Sequence, residues 1–311
     1  MTILRSAVQE YLAMRRSLGF QLSEAGRLLP KFVTFMEQHR ASVVTTPLAL
    51  AWAQQSQTVQ PAERARRLST VRIFARYRHA IDPRTEIPPD GLLPYRPKRA
   101  RPYLYSDDEI RGLLRAARAL PAGGGFRPWA YHGLFGLLSV SGLRLGEARN
   151  LCVDDIDLDA GVLTLRHAKF GKSRLVPLHA STCQVLATYL ARRRRYWAGR
   201  PVSSYVFVSN WGNRLDVGSV HRTFYALSRQ IGLRRPSDHH GPRIHDLRHR
   251  FAAKTLWRWY RTGEDPDRRL PILSAYLGHV HVRDTYWYLS AWPELMREVM
   301  RRVERRWEDR P

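Results

Sequence analysis

Between Asp82 and Pro102 the chain carries six prolines, Pro83, Pro88, Pro89, Pro94, Pro97 and Pro102. Proline lacks a backbone N–H and fixes φ, so no helix or central strand can run through this stretch. The chain, 311 residues in all, is long enough to bury a core on either side of the break. The sequence therefore predicts two domains, residues 1–98 and 103–311, with the linker at about 82–102. The basic end of that linker, Arg96 to Arg101, is placed to track a phosphate backbone.

Residues 3–81 read as four helices. Leu4, Val8, Tyr11, Leu12 and Leu18 follow helical spacing, and Leu28, Leu29, Phe32, Val33 and Phe35 mark a second helix. Pro47 opens a third and Pro61 a long fourth. The fourth sets an apolar stripe of Leu68, Val71, Phe74 and Ala75 among six arginines. One face packs while the others are free to meet an anionic partner, which makes Arg64, Arg67, Arg72 and Arg76 candidate DNA contacts.

The net charge is +25, and it is not a tail effect. Residues 1–98 hold 15 Lys/Arg against 7 Asp/Glu, and residues 99–311 hold 37 against 20. A basic excess in both halves suits two domains touching one polyanion. No apolar run reaches the roughly 20 residues a membrane span needs, and Arg5, Glu10, Arg15 and Arg16 interrupt the N-terminus, so the expectation is a cytoplasmic protein with no membrane partner. Cys152 and Cys183 have neither a second pair nor a matching His spacing, and both are expected to be buried and reduced. Only 5 of the 52 basic residues are lysine. Because an ammonium can release its proton where a guanidinium cannot, Lys169 and Lys172 stand out as candidates for proton transfer.

The second half begins with a capping box, Ser106 and Glu109. An apolar helix around Trp129 to Val140 leads into SGLRLGEARNL, residues 141–151. Residues 154–178 alternate short strands and turns, which predicts a three-stranded antiparallel sheet with KFGKS between its last two strands. A helix over 179–197, a strand VFVSN and a helix over about 217–233 follow. The fold class is mainly α with a small antiparallel β-sheet.

His245 to Tyr288 carries the chemistry. His245 and Arg248 stand at i, i+3, so both project from one helix face, a clamp for an anion with a titratable neighbour. A Leu-Gly-His ends at His279, and Tyr288 lies nine residues beyond it.

With Arg144 and Glu147 upstream, this ordered set resembles the tyrosine recombinases, the integrase family of site-specific DNA strand-exchange enzymes. The resemblance covers the catalytic half with specific motifs and the first half through size, helicity and charge. It departs in two places: Ser141 stands where many relatives have threonine, and WRWYRTGEDPDRR, residues 257–269, is a longer insertion than compact members carry. The resemblance implies a helical core-binding domain and an integrase-type catalytic domain closing as a C-shaped clamp on DNA. It implies Arg144 and Arg248 on the scissile phosphate, Glu147 as the buried partner of Arg144, His245 and His279 as acid/base or hydrogen-bonding groups, and Tyr288 as the nucleophile forming a 3′-phosphotyrosine.

A hairpin lysine would protonate the leaving hydroxyl. Counting back from R-L-V-P-L favours Lys169, although a one-register slip would exchange it with Lys172; the other lysine, with Arg174, would contact DNA. Tyr286 competes with Tyr288, and the nine-residue spacing favours Tyr288. Such chemistry needs no metal, cofactor or ATP. The expected partners are double-stranded DNA with specific recombination sites and further copies of the chain in a tetramer, with room for an accessory recombinase or directionality factor; integration, excision or transposition of a mobile element is the expected setting.

Two other readings stand beside it. A type IB topoisomerase-like relaxer would use the same chemistry, and a catalytically silent DNA-binding accessory protein would keep only the fold. A zinc hydrolase built on His245, His249, His239, His240, His279 and His281 lacks the HExxH glutamate. After the tyrosine, residues 293–309 read as a basic amphipathic helix, which either packs on its own domain or, as the resemblance implies, docks on a neighbouring subunit.

Overall fold

A computed structural model of the chain describes residues 3–56, 58–95, 101–166, 173–238 and 241–290, with 296, 297, 300, 301 and 304. The chain divides into two compact units, Met1–Ala100 and Arg101–Pro311.

The first unit is four helices: α1 (Ile3–Ser17), α2 (Ser23–Gln38), α3 (Thr46–Gln54) and α4 (Pro61–His79). Both prolines that announced helices act at helix starts, where the missing N–H has no partner to lose: Pro61 is the first residue of α4 and Pro47 the second of α3, whose Leu48 N–H donates to the Thr45 hydroxyl at 3.5 Å. Phe32 and Trp52 meet edge to face, 5.2 Å between centroids, in a core with Leu29, Met36, Leu68 and Phe74. Each of these large side chains contributes about 2 kcal/mol by leaving water. Leu18 lies past the end of α1 and is exposed, so its helical spacing does not carry it into the core.

The proline-rich stretch begins differently from a free linker. Glu86 N–H donates to Val44 O at 2.8 Å, and Arg72 donates to the carbonyls of Pro88 and Pro89 at 2.6 and 2.8 Å. Residues up to Pro89 are thus pinned to the first unit. Residues 96–100, most of the basic end, lie outside the described residues.

The second unit contains α5 (Asp107–Arg118), α6 (Arg127–Ser141), α7 (Leu145–Asn150), the strands β1 (Ile156–Asp157), β2 (Val162–Leu165) and β3 (Arg174–Pro177), and then α8 (Ala180–Trp197), α9 (Val217–Gln230), α10 (Ile244–Arg261), α11 (Pro266–Leu277) and α12 (Arg283–Ser290). The strands form one antiparallel sheet in the order β1-β2-β3, with Leu163 opposite Val176 and both buried. Ser106 and Glu109 make the reciprocal capping box at α5. VFVSN does not join the sheet: among the described residues it makes one isolated bridge, Val208 to Arg214, with Tyr205 just before it bridging Cys152, and Val206, Phe207 and Val208 are buried in the main core. Cys152 and Cys183 are free thiols, but half-buried rather than buried.

α6 runs through the main core with Leu134, Phe135 and Leu138 fully covered. Arg250 ties α10 to the start of α5 through Tyr105 O at 2.8 Å and through the carboxylate of Asp107. A smaller core of Ala252, Leu256, Leu270, Leu273, Leu277 and Tyr288 joins α10, α11 and α12. No helix among the described residues is long and apolar enough to cross a membrane.

Candidate active site

Two glycines set the backbone on which the site is built. Gly142 caps α6 with φ 61°, and a Cβ there would come within 2.5 Å of the Phe251 ring. Gly278 follows α11 with φ 67°. Its N–H reaches Ala275 O at 2.9 Å while His279 N–H reaches Ser274 O at 3.0 Å, the paired bonds of a Schellman C-cap. This explains Leu-Gly-His locally: the leucine closes the helix, the glycine supplies the left-handed turn, and the histidine leaves it in a fixed direction.

The end of α11 then receives three arginines from three different segments. Arg174 Nε donates to Tyr276 O at 2.9 Å, Arg248 Nη2 to Leu277 O at 2.6 Å, and Arg144 Nη2 to Gly278 O at 2.9 Å. Helix-terminal carbonyls have no intrahelical donor and carry the negative end of the helix dipole, so they are natural acceptors for cations. Arg248 also donates to Gly142 O at 2.7 Å, which joins the ends of α6 and α11. It is only 2% exposed. Burial, followed by the charge of Arg144, brings its pKa to about 10, so it remains cationic at neutral pH.

Glu147 balances part of this charge. Its carboxylate accepts from Arg144 N and Nη1, both at 2.8 Å, and from both Nη atoms of Arg174 at 2.9 and 3.0 Å. Burial would raise its pKa, but hydrogen bonds from Arg174 and Arg144 outweigh that and hold it at about 2. Arg174, a candidate DNA contact by sequence, is thus turned inward onto Glu147 and α11; a Cβ at Gly278 would sit 2.8 Å from its Nη1. Three guanidinium groups with one carboxylate leave a positive surplus suited to an anion.

The histidines border this cluster. His279 Nδ1 lies 2.8 Å from the buried Thr285 hydroxyl. Burial, then Arg248 and Arg144, lowers its pKa to about 4. It is therefore neutral at physiological pH. His245 keeps a solvent-exposed edge, yet the protein crowded around it lowers its pKa, with Arg248 adding to the effect and Asp246 opposing it. Asp246 is itself buried, accepting from Arg243 N at 2.9 Å and Nη2 at 2.8 Å, which fixes the start of α10. Tyr288 is 3% exposed, its ring 6.0 Å from that of His279 at 20° and 5.4 Å from that of His249, which in turn meets His245 at 4.8 Å. Tyr286, by contrast, is 49% exposed.

The structure thus brings together Arg144, Glu147, Arg174, His245, Arg248, His279 and Tyr288. Lys169 and Lys172, like His239 and His240, lie outside the described residues, as does most of the segment 293–309. Among the described residues no group of three or more His, Cys, Asp or Glu could hold a metal ion. The sequence reading did not single out Thr285 or Asp246, and it weighed His249 only as a metal ligand. Of these, His249 carried a readable cue, its i+4 spacing from His245.

In the first unit the candidate arginines separate. Arg72 is buried on the Pro88 and Pro89 carbonyls, Arg67 lies 4.4 Å over Trp52, and Arg64 donates to Ser56 O at 3.1 Å. Arg76 keeps an exposed side chain, with Asp90 at 3.6 Å.

Residues 105–294 match the sequence profile of the phage integrase family. A protein of Sinorhizobium fredii named as an integrase/recombinase, y4rB, is 63% identical over 313 residues, with all of both chains covered. The tyrosine recombinase XerD of Mycobacterium leprae is 30% identical over 67% of this chain and 63% of its own. The fold is similar to lambda integrase in the crystal structure of its tetramer bound to a Holliday junction, with a TM-score of 0.59 and 20% identity, covering 89% of this chain and 77% of that one.

Proposed function

Because the chain belongs to the phage integrase family, and is a site-specific tyrosine recombinase, we propose that Arg144, Arg248, His245, His279 and Tyr288 cut and rejoin DNA at the α11 C-terminus. The observation that carries this reading is convergence. Arginines 104 positions apart in sequence donate to the adjacent carbonyls Gly278 O and Leu277 O, immediately before His279, and Tyr288 stacks on that histidine.

Each of these guanidinium groups uses only some of its five N–H donors on protein oxygens and keeps others for the nonbridging oxygens of a phosphodiester. In-line attack by the Tyr288 oxygen forms the P–O bond to tyrosine as the P–O5′ bond breaks. His245 takes the phenolic proton. The leaving 5′ oxygen takes a proton from the hairpin lysine, Lys169 in preference to Lys172. Neutral His279, with Nδ1 accepting from Thr285, offers Nε2–H to the phosphate. The 3′-phosphotyrosine conserves the phosphodiester, so a 5′ hydroxyl from another strand reverses the same steps and no ATP or metal is required. Double-stranded DNA is the substrate, four copies of the chain assemble two duplexes, and the two units of each chain act as its core-binding and catalytic domains; integration, excision or transposition of a mobile element in the cytoplasm is the setting.

Covalent trapping tests this. Nicked suicide duplexes drawn from DNA flanking the gene are incubated with wild type, Tyr288→Phe and Tyr286→Phe and run on a denaturing gel. A protein–DNA adduct is expected with wild type and Tyr286→Phe and not with Tyr288→Phe. A confirmed footprint with no adduct from any variant would replace the enzyme by a DNA-binding accessory protein.

A further inference from the structure

At the far end of α6 from the catalytic arginine, the Trp129 ring is approached by two guanidinium groups. Arg118 Cζ, from the last turn of α5, is 3.0 Å from its ring centroid, and Arg192 Cζ, from α8, is 3.5 Å from it. Twelve residues separate Trp129 from Ser141, about 18 Å along the helix. The cluster is therefore distinct from the site at Gly142 and Arg144.

Its charge is not neutralised. Among the described residues, Arg111 is paired to Asp108 at 2.6 Å, while Arg115, Arg118 and Arg192 have no carboxylate at ion-pair distance. A cavity beside them is lined by Arg111, Leu114, Arg115, Arg118, Ala119 and His132. Burial, then the neighbouring guanidinium of Arg192, lowers the Arg118 pKa; burial, then Arg118, lowers that of His132. A guanidinium stacked on indole keeps its N–H edge free, in the planar geometry that suits phosphate oxygens. Basic residues in the last turn of α5 also complement that helix's dipole. That role does not require Arg192, which reaches the same ring from α8.

We propose that Arg115, Arg118 and Arg192, arrayed around Trp129, form a phosphate-binding site for DNA away from the cleaved bond, holding either a flanking stretch of the same duplex or a second duplex. This rests on DNA being the substrate. A nucleic-acid backbone is the partner because three guanidinium groups from two helices stand here without a carboxylate, and a run of phosphates supplies anions to several of them at once.

The test uses the full chain with Arg115→Gln/Arg192→Gln, both exposed positions, and separately Trp129→Leu, with thermal melts to verify folding. Affinity is measured against salt for a short duplex and a long duplex from the gene's flanks. Two lost phosphate contacts should lower the salt slope by roughly 2 on the DNA that reaches the site, while adduct formation on the short duplex is unchanged. A change on the long duplex alone identifies the flank. A change only when unlinked DNA is added to the short complex identifies a second duplex. Trp129→Leu should give part of the same loss, since the charges remain but their platform is gone. Unchanged slopes in every arm, or an equal loss on short and long duplexes, would overturn the site; the first would leave an acidic protein as the remaining partner. Binding slopes do not depend on adduct formation, so failure of strand cleavage would be seen separately.

Discussion

Arginine is used in opposite ways in the two units. On α4, Arg64, Arg67 and Arg72 are dispersed, one to the Ser56 carbonyl, one to the Trp52 ring, one to the Pro88 and Pro89 carbonyls. In the second unit Arg144, Arg174 and Arg248 come from three segments to three consecutive carbonyls, with Glu147 shared between two of them. The α4 arginines hold their own domain together. The converging set concentrates positive charge at one point that an anion can use. The number of arginines is therefore a poor guide to an anion site, and the supply of acceptors around them a better one.

The strongest way to break this contrast is Arg248→Lys. One ammonium keeps the charge but cannot bridge Gly142 O and Leu277 O with planar donors while also gripping a phosphate. Adduct formation should fall by at least 100-fold on the scale of a lost transition-state donor, and urea unfolding should show a loss of about 2 kcal/mol from a buried carbonyl left unsatisfied. Near-normal cleavage by this variant would remove convergence from the account.

Thr285→Val sharpens it at the histidine. Losing the hydroxyl frees the His279 tautomer, and cleavage should slow by roughly 10-fold, with about 1 kcal/mol of stability lost from the unpaired ring nitrogen. Wild-type cleavage should persist below pH 6.5, because His279 titrates only at about 4. The sign for stability is opposite: with the folded pKa values of His279 and His245 lowered, the unfolded chain binds more protons, so stability declines as pH falls from 6.5 toward 4. Denaturation midpoints across that window test it, and a flat profile would contradict the burial argument.

The smallest effects separate two neighbours on α4. Arg72→Gln should cost the first unit about 1–2 kcal/mol through its carbonyl bonds, read by chemical denaturation. Arg76→Gln should leave stability unchanged and reduce the salt slope of DNA binding by about 1. If both variants altered only DNA binding, the dispersed arginines would be DNA ligands after all.

How much of this could be read in advance depended on how local the cause was. The four helices of the first unit, the capping box at Ser106 and the order β1-β2-β3 follow from spacing and turn residues close in sequence. Leu18 and VFVSN misled for one reason: each has a suitable pattern, but whether an apolar segment stays helical or pairs as a strand is settled by what packs on it. Arg72 and Arg174 look like any other arginine on their elements. Their inward direction depends on carbonyls at Pro88, Pro89 and Tyr276, and Tyr276 is 102 positions from Arg174.

By itself the sequence determined the helical character and the small antiparallel sheet, because these depend on backbone geometry and side-chain chemistry carried by each short segment. Only the tertiary structure decided that Gly142, Leu277 and Gly278 present their carbonyls to Arg248 and Arg144, that Arg174 serves Glu147, and that Thr285 holds His279. Those are bonds between groups brought together by burial of the cores, and a buried donor must find whichever acceptor the packing leaves beside it.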